Sequence, residues 1–344
     1  MGIQETKDAP ATDSHFQKRE TKFMVRAYLL LFMAFMVSGI ASGKENAQQE
    51  LARAFQLDYQ GQFAEVIELA KPLTTDEALT ALERGRSWMV LAHAYQEVGN
   101  FQEATTAYEQ SLHLLENDES HNLDYARTLS AFSTLYRHMG QLKTATGIQK
   151  EALHLYEQGN NHAGAAVAYG SLAELALSEQ HTNEGRKYLA QASKESKLAA
   201  SDLDDNYFAS VCATRGWLAE LDGNPTAAIS WYQNAIALSE KLHGEKYHLV
   251  GWDLMQLGKA YAEAGDLGRA SENMRQGLAI LGLTAGHENA PYFAAELAYA
   301  RVLDASGEHS QAAELRKQGS KELTDFYRSE CVSCRISATA VSLK

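Results

Sequence analysis

Leu257-Gly-Lys-Ala-Tyr-Ala-Glu-Ala-Gly-Asp-Leu-Gly-Arg-Ala270 decides the fold. A helix through its first half puts Leu257, Gly258 and Tyr261 on one side, because residues three and four apart stack on the same face. Gly265-Asp266 breaks that helix, and Ala270, small and five residues past the break, lets a second helix pack close. The stretch is the turn of a helical hairpin with both packing faces attached.

The same arrangement recurs along the chain. Helix-breaking positions fall at Gly61, Gly99, Gly140, Gln180, Gly223, Gly265 and Gly307, in steps of 38, 41, 40, 43, 42 and 42 residues. Trp88, Leu91, Ala92, Tyr95, Gly99, Ala104 and Tyr108 carry one nearly complete copy, and Leu129, Phe132, Ser133, Tyr136, Gly140, Ala145 and Ala152 the next. Tyr169, Leu172, Ala173, Ala176, Gly185 and Ala192 form a weaker copy, with Gln180 in place of the turn glycine. Cys212, Gly216, Ala219, Gly223, Ala228, Tyr232 and Ala235 follow, and Tyr299, Ala300, Leu303, Gly307 and Ala312 close the series.

In this pattern the chain resembles the tetratricopeptide repeat family, whose signature is a large residue, Leu-Gly/Ala, Tyr, then Gly, Ala, an aromatic and Ala. The period near 42 residues is similar to the long-repeat subclass found in kinesin light chains and many bacterial scaffolds. The resemblance covers residues 46–327 and implies an all-α fold, a right-handed superhelical solenoid of about seven antiparallel hairpins. The first hairpin, 46–73, is polar on its first helix, as a terminal cap is expected to be, and Pro72 is expected to end its second helix. Thr75 or Asp76 is the expected cap of the next helix. Glu116–Asn122, Gln158–His162, Leu242–His248 and Thr284–Pro291 read as polar, flexible joints between hairpins.

Two segments flank the solenoid. Residues 1–41 combine Lys18, Arg19, Lys22 and Arg26 with the apolar run Ala27–Val37 and small residues before Ala41, the layout of a cleaved secretory signal. Export to the periplasm or outside the cell is therefore expected. An uncleaved anchor through residues 27–41 is the alternative, although that run is shorter than a membrane span of about 20 residues. Met24 could equally begin a compact signal, leaving Met1 or Met24 as the start. Residues 328–344 form a tail holding Cys331-Val-Ser-Cys334. In an oxidising compartment this pair is expected to form a local disulfide that fixes the tail; free thiols, redox exchange and half a metal site remain the other readings.

The net charge of −13 disfavours nucleic acid and anionic lipid, which need a positive field. The twelve histidines lack metal-ligand spacing, and His243 and His248, five apart in a joint, are expected to bond or cap there. No phosphate loop, dinucleotide fingerprint or other cofactor motif occurs, and Cys212, at a large-residue signature position, is expected to be buried. Neither catalysis nor a cofactor is expected.

The family resemblance implies a concave groove lined by the first helix of each hairpin. It would present Phe55 and Tyr59, then Met89, His93 and Gln96, then Arg127, Thr134, Arg137 and His138. Further along come Glu174, Trp217 and Glu220, then Trp252, Met255 and Lys259, and last Arg301. Trp217, Trp252 and Met255 can anchor apolar side chains or pack as core. Arg137, Lys259 and Arg301 can hold a carboxylate or lie on solvated helix faces. The expected partner is a protein or extended peptide, with self-association and a redox role for the cysteine pair as the competing readings.

Overall fold

The computed structural model describes residues 43–116, 119–199, 203, 205–284 and 290–330, without the side chains of 290, 291 and 325–330. The secretory segment 1–41, the choice between Met1 and Met24, the Cys331/Cys334 pair and the tail beyond 330 lie outside the described residues. So does most of the 284–291 joint.

Among the described residues there are fourteen α-helices and no strand. They pair as hairpins: α1 (43–59) with α2 (Phe63–Leu73), α3 (Ala81–Glu97) with α4 (Phe101–Leu115), and α5 (Asn122–His138) with α6 (Leu142–Gln158). Then follow α7 (His162–Ser178) with α8 (Thr182–Ala199), and α9 (Asp205–Leu221) with α10 (Pro225–His243). The last two are α11 (His248–Glu263) with α12 (Leu267–Thr284), and α13 (Ala290–Ala305) with α14 (His309–Glu330).

Each hairpin turns through one left-handed residue. Gly61, Gly99, Gly140, Gln180, Gly223, Gly265 and Gly307 all have positive φ, between 62° and 86°. The residue after each donates its backbone N–H to a carbonyl five positions back, as in Asn100 to Tyr95 (2.8 Å), Gln141 to Tyr136 (2.8 Å) and Asp266 to Tyr261 (2.9 Å). This closure satisfies carbonyls that the helix end would leave orphaned. His181 bonds Ala176 in the same way at 2.8 Å, so Gln180 adopts the turn without the freedom of glycine. Beyond the turn, small residues decide how near the helices come. A Cβ on Gly258 would lie 2.6 Å from Met274 Cγ and 2.9 Å from the Ala270 carbonyl oxygen, so α11 and α12 meet almost backbone to backbone.

Three expectations need correction. Thr75 and Asp76 do not start α3; Asp76 instead accepts from the Ala78 N–H inside a turn. Thr80 caps α3 in a reciprocal box with Glu83, which satisfies two end donors at once. Gln158–His162 is no flexible joint, because Asn160 (φ 51°) repeats the hairpin turn and Asn161 caps α7 through the Gly164 N–H. Pro72 lies inside the last turn of α2, which ends one residue later.

Apolar burial follows the stack rather than one centre. One cluster spans α1 to α3 around Phe63 and Leu91; another spans α3 to α5 around Phe101, Tyr108 and Phe132. The largest runs from α9 to α14 around Tyr232, Met255 and Met274. Between α7 and α9 the buried apolar set shrinks to Ala173, Leu177, Leu189 and Leu218.

The turn geometry has a measurable cost. Nothing lies within 4 Å of a Cβ added at Gly265, so Gly265→Ala is expected to lose only the left-handed penalty, about 1 kcal/mol. Gln180→Gly should gain up to the same amount, less the entropy that glycine adds to the unfolded chain. Urea unfolding of the two variants against the parent checks both signs.

Candidate functional site

The first helices α1, α3, α5, α7, α9, α11 and α13 stack in order, and three positions of each matter: six, three and two residues before the left-handed turn residue. At three of the six steps between hairpins the residue six before a turn pairs with the residue three before the turn of the preceding hairpin. His93 Nδ1 lies 2.7 Å from Asp58 Oδ1. Arg137 Nη2 lies 3.4 Å from Glu174 Oε2, and Lys259 Nζ lies 2.9 Å from Glu220 Oε2. At the step from α7 to α9 the same two positions are apolar, and Trp217 packs on the cluster that holds Leu177. These contacts form an interrupted ladder between the first helices.

Burial and charge tune the ladder. Burial pulls the His93 imidazole down, but Asp58 and Glu97 outweigh it and push it up to about 9. Burial pushes Glu97 up, yet His93, His248 and His138 hold it below the usual carboxylate range. His138 falls to about 4 through burial and the neighbouring Arg137. Farther along, burial pushes Glu220 up to about 7 against the pull of Lys259, and its Oε1 is buried without a hydrogen-bond partner. Asp253 is pushed up to about 8 by burial and by Glu174. Glu174 also accepts from Thr214 Oγ1 at 3.2 Å and Ser210 Oγ at 3.4 Å, which carries the ladder across the seam between α7 and α9.

The expected groove residues separate into groups. His93, Arg137, Glu174, Glu220 and Lys259 join the ladder, with His138 next to Arg137. Arg137, Lys259 and Arg301 form no single clamp, since the first two each hold a carboxylate of a neighbouring hairpin; Arg301 is half-buried on α13. Met255 is core, not groove surface: it is 4% exposed and lies against Gly277 of α12, where the missing side chain makes room for it. Met89 and Trp252 are half-buried and pack on the apolar clusters of their own neighbourhoods. Trp217 is half-buried, and Tyr59 remains exposed with its ring 4.2 Å from that of His243. Cys212 is half-buried with its thiol pushed up by burial, not fully enclosed as its signature position suggests.

Asp58 and Glu97 were the residues that inspection of each helix alone passed over. Their signal was available in the offset from the turn, which repeats from hairpin to hairpin. Among the described residues no group of His, Cys, Asp and Glu is arranged to hold a metal ion. No described helix is long and apolar enough to cross a membrane.

Removing one rung should expose its energetics. Lys259→Met leaves Glu220 buried without its cation and is expected to cost about 2 kcal/mol. Glu220 binds its proton more tightly folded than unfolded, so the stability of this variant should fall as pH rises from 5 to 8. Urea titrations at both pH values test this, and Glu220→Gln in the same chain should remove the pH dependence.

A family model described as tetratricopeptide repeat matches residues 83–158 and 212–282. No curated protein matches the sequence. Among solved structures, the apo form of RapI is similar with a TM-score of 0.55 at 8% identity, covering 81% of this chain and 99% of that one. A Rap protein complexed with competence and sporulation factor gives 0.50 at 15% identity, over 83% and 97% of the two chains. The APC/C hetero-tetramer Cut9–Hcn1 gives 0.51 at 14% identity, over 82% of this chain and 55% of that one. These likenesses concern the fold, and together with the repeat match they make the chain, at the level of the superfamily, a tetratricopeptide-like repeat protein.

Proposed function

We propose that the protein is an exported, non-catalytic scaffold that holds a protein or an extended peptide on its concave face. The observation that carries this reading is Trp217. It stands half-buried on α9, six residues before the Gly223 turn, with the Arg137–Glu174 pair on the preceding hairpins and the Glu220–Lys259 pair on the following step. An aromatic ring partly packed and partly exposed, flanked by fixed polar groups, is the composition of an interface anchor. The paired charges hold their geometry before a ligand arrives, which lowers the ordering cost of binding. Ion pairs already made within the protein favour a ligand read through its backbone and apolar side chains over one held by a single terminal charge.

The Rap protein complexed with competence and sporulation factor has a similar fold, which supports a ligand-holding use of such a stack. The period near 42 residues supports placement in the kinesin-light-chain-like long-repeat subclass. The basic cluster before an apolar run in residues 1–41 supports export, with anchorage through residues 27–41 as the variant of that reading.

Crosslinking in the native cell, followed by mass spectrometry, supplies the partner for titration. Trp217→Ala is expected to weaken its binding by about tenfold or more, the effect of losing an anchor. Replacing Cys331 and Cys334 with serine should leave binding unchanged. Unaltered affinity in the tryptophan variant would remove Trp217 from the site, and a mature N terminus other than one near Ser42 would remove cleaved export.

A further inference from the structure

The superhelix bends back on itself. The joint between α10 and α11, residues 244–247, sits against the first two hairpins, far away in sequence. A Cβ on Gly61 would lie 3.4 Å from His248 Nδ1 and 3.6 Å from the Tyr247 ring. Phe63 meets the His248 ring edge-on at 5.1 Å, and His248 Nε2 lies 3.7 Å from Glu97 Oε2. Beside this contact the Tyr59 ring is 4.2 Å from His243, which stacks on Tyr247 at 3.9 Å. The joint can make this excursion because Gly244, at φ 85°, reverses the chain directly after α10. His243 is tied back to α9 through Asn206 Oδ1 at 2.6 Å.

We infer that this seating is a proton-operated clasp: the joint closes the superhelix over hairpins 1 and 2 at neutral pH and releases them in mild acid. The inference does not depend on which ligand the groove holds. His248 is the group that crosses. It is 5% exposed, its Nδ1 has no hydrogen-bond partner, and apolar Phe63 and the Tyr247 ring cover it. A second proton would create a cation there whose one ion-pair partner, Glu97 at 3.7 Å, is already engaged by His93 at 3.6 Å.

All the charged neighbours fit one linkage. Glu97 on α3 and Asp58 on α1 pull the His248 imidazole up, while His93 on α3 and His243 at the end of α10 push it down; burial is the largest effect and leaves it at about 4. His93 keeps Asp58, and His138 keeps Arg137, within hairpins that stay neighbours whether or not the joint is seated. The titration coupled to release therefore falls on His248. Seated, it has a lowered value; released, it returns towards 6.5. Closure is fully favoured above that ordinary value and weakens as pH falls, by about thirtyfold at pH 5. The seam between α7 and α9 is the natural bending point, since its buried apolar set is small and Glu174, Thr214 and Ser210 hold it through polar contacts.

Pulsed electron paramagnetic resonance on the full chain tests the clasp directly. Cys212, Cys331 and Cys334 are replaced by serine, and spin labels are placed at Gln62→Cys and Glu245→Cys, both exposed positions beside the contact. One short distance is expected at pH 7.5, and a second, longer one at pH 5, with helical circular dichroism unchanged. His248→Phe keeps a ring against Phe63 but cannot titrate, and should hold the short distance at pH 5. If that ring does not seat at pH 7.5, His248→Gln, neutral and polar against Glu97, is judged by the same criterion. A distance distribution unchanged between the two pH values overturns the inference. So does a long distance already dominant at pH 7.5, acid opening undiminished in the non-titrating variant, or loss of helix in step with the longer distance.

Discussion

Everything in this molecule depends on a single backbone conformation repeated seven times, a left-handed residue that ends one helix and lets the chain re-enter the next. The bond from the following N–H to a carbonyl five residues back holds that turn shut at every hairpin. With the turn held, the two helices must lie antiparallel, and side chains at fixed offsets from it recur at the same place in space. Glycine supplies the conformation at little cost at six of the turns, whereas Gln180 pays the steric penalty of a side chain. A repeat can tolerate that strain because its neighbours on both sides lock the hairpin by packing.

Once offsets are fixed, inter-repeat chemistry follows from them. At three steps between adjacent hairpins the positions six and three before the turn meet as acid–base pairs. The pairs need not contribute much net stability, because desolvating two charges offsets most of their attraction. Their effect is on register. A hairpin that slipped by one helical position would leave Glu220, 3% exposed along its side chain, without Lys259. Apolar contacts alone, being non-directional, would penalise such a slip less.

Local rules were legible in the residues and superhelical ones were not. Turn positions could be read because the need for positive φ acts on one residue at a time, and even Gln180 was betrayed by its neighbours' spacing. Asn160 was missed for the complementary reason: in a run of Gly, Asn and Asn, a tight turn and a loose joint have the same composition. The start of α3 was misplaced because Thr75, Asp76 and Thr80 are all competent caps, and only Thr80 has Glu83 three residues on to complete the box. Met255 looked like an anchor because its helix position was read without Gly277 of the facing helix, whose missing side chain makes the room that Met255 fills. The approach of His248 to Phe63 had no local signal, since it depends on small rotations summed over five hairpins.

That summed contact changes what kind of polymer the chain is. A stack in which each repeat touches only its neighbours behaves as a one-dimensional array, able to fray from its ends without consequence for the middle. Contact between hairpin 1 and the joint after α10 adds a term that spans the array, so loss of the first hairpin also uncovers Tyr247 and His248. Such a term is sensitive to small changes in curvature, because a slight opening at each interface accumulates into a large displacement at the clasp. A buried neutral histidine at that point couples the sum to proton concentration, while its neighbours His93 and Asp58 remain a local pair. The same residue type thus acts in two ways around one carboxylate, Glu97: His93 strengthens the stack by carrying charge, and His248 closes it only while it carries none.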